Sequence, residues 1–421
     1  MMINERSEVT LTKFKWVSLL VLVVLIMSAI IACAQPAPGQ KPVIKIGYSI
    51  PLNVSFGANI NKALDIAVPQ FNADYGVKVK GTRYDLQIIK RDDNSSADLG
   101  RTNAERFINE DKVKYVFYIG SATTTAAFPV TEQAGVLLFS GAAVDQHLLP
   151  PSKYTFRSAE SFHSKAVKWK YIREHFPKAT KVGLIVSDNA GGKTDADRCK
   201  AIAPIYNLVL TDEYILYYPP GAKDFTAIAT KLANLNPDVV VFNATEADTA
   251  IGLQIKALRA AGYKGGLAKT EEVNVDELKN VASPQEYEGL LGKCQPDQLP
   301  QVSKMLKDFK AGYQAQFKEW PTFLYGFLSC VPMFKAAAEK ANSLEVPDIA
   351  NAVNGLEWES WSGPFETFCR QDLKVTRPVG VESIAPMGYI KNGVLTWEKT
   401  YSLKEAQEAA GKVYGVTKTC K

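Results

Sequence analysis

From Val43 onward the chain alternates short β-rich apolar runs with stretches of helical period, and this alternation limits its possible folds more than any other feature. A β-rich run at 43–48 leads to a helical stretch at 57–75, in which Ile60, Leu64, Ala67, Val68 and Phe71 recur at helix spacing. Strand 84–90, helix 97–109, strand 114–119, helix 124–134 and strand 136–139 follow. The order then repeats: helix 164–175, strand 182–186, helix 194–206, strand 208–216, helix 225–235, strand 239–242, helix 247–261. Uninterrupted apolar runs such as Val239-Val240-Val241-Phe242 suit parallel strands buried on both faces. Two successive βαβα runs therefore predict an α/β protein with two doubly wound lobes. Helices at 301–317 and 323–341 come next, then a turn-rich, strand-like end carrying Trp358, Trp361, Tyr389, Val394-Leu395 and Trp397.

The first residues indicate where such a protein works. Arg6, Lys13 and Lys15 precede an apolar run at 16–32, broken only by Ser18 and Ser28. A charged start, a short apolar core and small residues at its end form an export signal. The run sits at the lower edge of a membrane-spanning length, and its end decides for export. Ile30-Ile31-Ala32-Cys33 resembles a bacterial lipobox, which makes 1–32 a lipoprotein signal peptide and Cys33 the lipidated mature N-terminus. Ala32-Cys33-Ala34 also fits an ordinary A-x-A cleavage site, so that alternative stays open. The Pro-rich stretch 33–42 reads as a tether. An exported, periplasmic or cell-surface location puts Cys199, Cys294, Cys330, Cys369 and Cys420 in an oxidising space, and the odd number leaves at least one unpaired in the chain. Cys330, on an apolar helical stretch, is expected as a buried free thiol.

Composition excludes more than it suggests. The formal charge of +5 over 421 residues is weak and unclustered, so no nucleic-acid partner is expected. Three histidines (His147, His163, His175) and the absence of CxxC or HxxxH pairs argue against a metal site, and no cofactor is expected. No GxSxG elbow, HExxH or full dinucleotide fingerprint occurs. The run from Ser187 to Thr194 approaches a P-loop, but Ser187 stands where a glycine must turn the backbone; it reads as a loop at a strand's carboxyl end, where doubly wound sheets bind ligands. Asp92-Asp93-Asn94-Ser95 is expected to form an Asx-type turn rather than a cation site. Glu271-Glu272 reads as a polar loop after Gly265-Gly266, either solvated or facing a ligand. A hydrolase using Ser121 or Ser140 lacks a placeable His–Asp partner, so no enzyme is expected.

The segment VIKIGYSIPLNVSFGANINKALDIAVPQFN resembles the opening of the type I periplasmic solute-binding proteins, the branched-chain amino-acid group of ABC-transporter receptors. LQIIKRDDNSSAD, KVKYVFYIGSATT, GVLLFSGAAVDQHL, YTFRSAESF, KVGLIVSDNAGGK, GAKDFTAIATKLANLNPDVVVFN and FLYGFLSCVPMFKAAAEKA continue the likeness in order, from 43 to about 400. The resemblance implies two lobes joined by three crossovers, with lobe 1 at 43–158 and 295–362 and lobe 2 at 159–294 and 363–421. It implies that Ser121 with Thr123, and Ala142-Ala143, hold a solute carboxylate, and that Glu271 holds the ammonium, with Glu272 as the other register. Asn189 and Thr245 fall where relatives carry aromatics, Val144 where they carry a threonine, and Tyr325 completes the implied ligand set. The implied role is an extracytoplasmic receptor of an ABC importer that closes on a small amino-acid-like solute and delivers it to a membrane permease. Amides, urea-like solutes and aromatic carboxylates are the alternatives within the group. A sensory receptor, or a purely structural lipoprotein, are the alternatives in role. A monomer is expected, and the family layout implies a Cys369–Cys420 pair.

Overall fold

The computed structural model describes residues 41–159, 165–242, 248–321 and 325–420. The expected signal peptide at 1–32, Cys33 and Thr245 lie outside the described residues. Among those that are described, no helix is long and apolar enough to cross a membrane.

Six strands make the first sheet: β1 (Val43–Ile50), β2 (Val77–Val79), β3 (Thr82–Asp92), β4 (Tyr115–Tyr118), β5 (Leu137–Ser140) and β6 (Thr155–Arg157), in the order β2-β3-β1-β4-β5-β6. All neighbours are parallel except the β2–β3 hairpin, whose two-residue turn puts Lys80 and Gly81 at φ of 50° and 78°. Both turn residues at positive φ make a type I′ turn, the one matched to strand twist. Helices α1 (Ser55–Asp74), α2 (Ala97–Asn109) and α3 (Ser121–Gln133) cover the sheet. All four residues of β4 and of β5 are buried, as strands covered on both faces must be.

The second sheet is built from β7 (Val182–Ser187), β8 (Ile215–Tyr218), β9 (Val239–Phe242), β10 (Gly266–Glu272), β11 (Leu291–Lys293), β15 (Ala385–Lys391) and β16 (Val394–Tyr401), in the order β16-β15-β11-β10-β9-β7-β8. The five strands β7 to β11 run parallel, and β15 and β16 close one edge antiparallel. Helices α4 (Lys165–His175), α5 (Ala190–Ile202), α6 (Thr226–Leu235) and α7 (Asp248–Ala260) pack on its faces. The strand order reverses between β1 and β4 in the first sheet and between β7 and β9 in the second. Crevices at the carboxyl ends of strands form at these reversal points.

Three departures from the sequence reading have physical causes. Residues 271–272 end strand β10 rather than forming a loop, because the charges of that strand find partners: Lys269 with Asp248, and Glu272 with Lys293 at 3.0 Å. The expected strand 208–216 holds only a bridge at Val209, then a turn of 3₁₀ helix at Asp212–Tyr214, before β8 begins at Ile215. Helix α5 starts at Ala190 instead of 194, because the Asn189 side chain accepts from the Gly192 N–H at 2.8 Å and caps it.

Helices α8 (Lys304–Phe317), α9 (Cys330–Ala341) and α10 (Val346–Ala352) return to the first core, where Tyr115 and Phe334 meet with centroids 4.6 Å apart. A third sheet, β12 (Glu357–Ser360), β13 (Gly363–Arg370) and β14 (Gly380–Ser383), follows, with β17 (Val416–Thr417) paired to β13. Phe365 and Val381 of this sheet sit in the first core, whereas Ala385, Tyr401 and Ala406 sit in the second. The described residues from 363 onward are thus divided between the two cores. Helix α11 (Leu403–Tyr414), capped by a Ser402–Glu405 capping box, packs on α4. Cys369 and Cys420 form a disulfide, and Cys199, Cys294 and Cys330 are buried free thiols.

Candidate functional site

The carboxyl ends of the first sheet form a row: Ile50 opposite Asp92, Tyr118 opposite Ser140, and Ser140 opposite Arg157. The residues that follow each strand therefore share one rim. Ser121 opens α3 directly after β4, and its Oγ accepts from the Ala143 N–H at 3.1 Å. One residue earlier, the Ala142 N–H donates to Ser140 Oγ at 3.0 Å. Ser121 and Ala143 are thus brought together, and the Ser121 hydroxyl proton points away from the amide it accepts from. The leading N–H groups of α3 have no partners within the helix. A hydroxyl and helix-end N–H groups together suit an anionic oxygen.

Thr123 does not join this rim. It is buried, its Oγ1 donates to the Gly120 carbonyl at 3.1 Å, and its backbone lies so close to α2 that a Cβ on Gly100 would approach it to 2.7 Å. Its hydroxyl instead faces Asp93, whose pKa is raised by burial while Ser49, the Ser95 amide and Thr123 pull it back. Asn94 and Ser95 adopt φ of 45° and 56°, and their amides donate to Asp92 and Asp93 at 2.8 and 3.0 Å, the Asx turns read from the sequence. Asn189 is likewise used internally, its carboxamide capping α5 and donating to Ser187 Oγ at 3.1 Å.

Tyr325 is a core residue of the first lobe rather than a surface one, and its pKa stands well above 10.0 through burial first and then the nearby Asp297 and Glu272 carboxylates. Among the described residues, Phe327 is an aromatic at the rim. A Cβ on Gly141 would meet its ring at 2.6 Å, and Phe56 lies 5.8 Å from it, centroid to centroid. Sequence reasoning missed both phenylalanines; the signal was Gly141 between Ser140 and Ala142, a small residue placed where a ring must approach.

On the second sheet, Glu271 is partly exposed and lies 3.4 Å from Lys165 Nζ and 3.5 Å from Lys168 Nζ, both lysines wholly buried on α4. Lys165 also pairs with the buried Asp195 of α5 at 2.7 Å. Burial opposes its charge, but Asp195 and Glu271 outweigh burial and hold its pKa above the ordinary value. Glu272 points to the opposite face, toward Lys293.

Beside the rim, His147 is buried and its pKa falls from 6.5 to about 3, through burial first and then the Arg157 charge. The folded chain keeps it neutral while the unfolded chain protonates near 6.5. Its contribution is complete above that pH and is lost as pH falls toward 3, with a slope of up to about 1.4 kcal/mol per pH unit. His147→Leu is expected to flatten this part of the profile in urea unfolding between pH 4 and 7.

The family model for periplasmic binding proteins matches residues 43–384. The chain belongs to the periplasmic binding protein family. Its members are substrate-binding proteins, and the family places this one outside the cytoplasm. The periplasmic binding protein described here is 29% identical over 242 residues to Leu/Ile/Val-binding protein homolog 3 of Brucella melitensis, covering 54% of this chain and 62% of that relative's length. It is 25% identical to the Leu/Ile/Val-binding protein of Escherichia coli over 306 residues, 70% of this chain and 79% of that one. In fold it is similar to an ABC-transporter solute binding protein of Rhodopseudomonas palustris in complex with 3,4-dihydroxybenzoic acid, with TM-score 0.67, 18% identity and coverage of 86% and 98%. It is also similar to a branched-chain amino acid transporter substrate binding protein of Streptococcus pneumoniae in complex with isoleucine, with TM-score 0.65, 21% identity and coverage of 86% and 99%.

Proposed function

We propose that this protein is the extracytoplasmic receptor of an ABC importer, anchored through Cys33, which captures a small carboxylate solute between its two lobes and passes it to a membrane permease. The observation that carries this reading is the Ser121–Ala143 pair at the end of α3, a hydroxyl and amides gathered at a strand-order reversal. Glu271 stands on the second sheet as the group that would accept from a solute ammonium. Ala142 belongs to the same loop, and Asn189 caps α5 on the second lobe. Each lobe then supplies one end of the solute's recognition, and preference for the closed form drives closure without bond-making residues.

A second solute class is favoured by one specific observation. Two buried lysines already face Glu271, so a solute with only a carboxylate leaves that balance intact. The relatives in the solved structures span both classes, isoleucine and 3,4-dihydroxybenzoic acid. Mass spectrometry of small molecules released by denaturing the purified protein tests the proposal: an amino acid or aromatic acid is expected, and the consistent absence of any bound or bindable carboxylate would count against it. Glu271→Ala is expected to weaken binding of isoleucine about ten- to a hundredfold, the size of a lost charge-assisted hydrogen bond. Binding of 4-hydroxybenzoate should be unaffected by the same change. Calorimetric titration with both compounds separates the classes.

A further inference from the structure

Asp145 lies three residues beyond Ala142 and is met by three guanidinium groups. Its Oδ1 accepts from Arg157 at 2.6 Å, and its Oδ2 accepts from Arg198 at 3.0 Å and from Arg370 at 2.7 Å. These arginines come from different parts of the fold. Arg157 ends β6 where the chain leaves the first sheet, Arg370 ends β13, and Arg198 sits on α5 of the second lobe. Their side chains are 1%, 3% and 6% exposed, so the charges meet with little water between them.

We propose that Asp145 and Arg198 are positioning residues that hold the solute loop in its binding shape only while the second lobe is docked against it. The inference rests on reading Ala142–Ala143 as part of the solute site. Arg157 is the link to that loop, because it donates to the Ala142 carbonyl and, at 3.1 Å, to the Val144 carbonyl. Arg370 is also held by Asp372 at 2.5 and 3.0 Å and by the Tyr414 ring of α11, 5.0 Å away. Arg198 is carried on a helix of the second lobe, so its distance to Asp145 is a contact that lobe movement changes. A charge pair present in one arrangement of the lobes and absent in the other biases both the lobe equilibrium and the loop it holds. Solute at Ser121 and Ala143 and the arrangement of the second lobe thereby favour each other through one carboxylate.

Hydrogen exchange of the full chain, without any solute, tests this. The Ala142 and Ala143 amides are protected by Ser140 and Ser121, so their exchange reports the shape of the loop. Arg198→Ala is expected to raise exchange at 142–145 by tenfold or more and leave strand β4 unchanged. Arg198→Lys, which keeps the charge and a donor, should recover part of the protection. Asp145→Asn should produce a similar rise, to which Arg198→Ala adds less than twofold. Unchanged loop exchange in Arg198→Ala overturns the proposal, as does a rise shared equally by β4 and the whole second lobe. If the alanine variant does not fold, Asp145→Asn with wild-type loop exchange overturns it. Because no solute is used, failure here is distinct from failure of the transport reading, which shows only in titration.

Discussion

Asp195→Ala is expected to lower stability by about 3–5 kcal/mol, the cost of breaking a buried ion pair from one side. Asp195 and Lys165 are both wholly buried, on neighbouring helices α5 and α4, and meet at 2.7 Å. Removing the carboxylate leaves the lysine charge inside the second lobe, with Glu271 at 3.4 Å as a remaining counter-charge. Burial then weighs against the ammonium that Asp195 had stabilised. The paired variant Lys165→Met with Asp195→Leu should recover most of the loss, because a buried ion pair is commonly no better than apolar packing of the same size. Glu271 keeps Lys168 in that variant. Urea unfolding measures both. A single variant within about 1 kcal/mol of wild type, the range of an exposed pair, would contradict the burial argument.

Loss of the Cys369–Cys420 bond is the second large effect. The two cysteines are 51 residues apart, and closing a loop of that length stabilises by about 4 kcal/mol in the chain-entropy picture. The bond fastens the chain end to β13, next to the β17 pairing of Cys369 with Thr417. Asn354 reinforces it by accepting from the Cys420 N–H at 3.0 Å, and Lys418 pairs with Glu366 at 2.9 Å. Replacing both cysteines with serine should lower the urea midpoint and raise amide exchange after about residue 415. A reductant should reproduce the change in the wild type and not in the variant. Equal stability with and without the bond would mean that the tail contacts alone hold the end.

Much of the fold was legible because its parallel strands are buried on both faces. Runs such as 115–118, 137–140 and 239–242 carry no polar face to confuse the period. Strand β10 was not legible, since Lys269, Glu271 and Glu272 look like a solvated loop until Asp248, Lys165 and Lys293 are placed beside them. Ser121 and Ala143 were implied by the family resemblance, and the strands that precede them are ones the apolar pattern marks. The internal uses of Thr123 and Asn189 could not, since capping and inter-helix packing depend on a turn of backbone rather than on residue type. The Asp145 cluster was invisible for another reason: Asp145 and Arg370 are 225 residues apart, and no local pattern links them.

The central claim is that Ser121, backed by Ala143, holds a solute carboxylate at the rim of the first sheet. Calorimetric titration of wild type and Ser121→Ala with isoleucine and with 4-hydroxybenzoate tests it most directly. Saturable binding of at least one compound is predicted, weakened about tenfold or more in the variant, as expected for a lost hydrogen bond to a charged group. Binding of the same compound with unchanged affinity in Ser121→Ala would contradict the placement of the site.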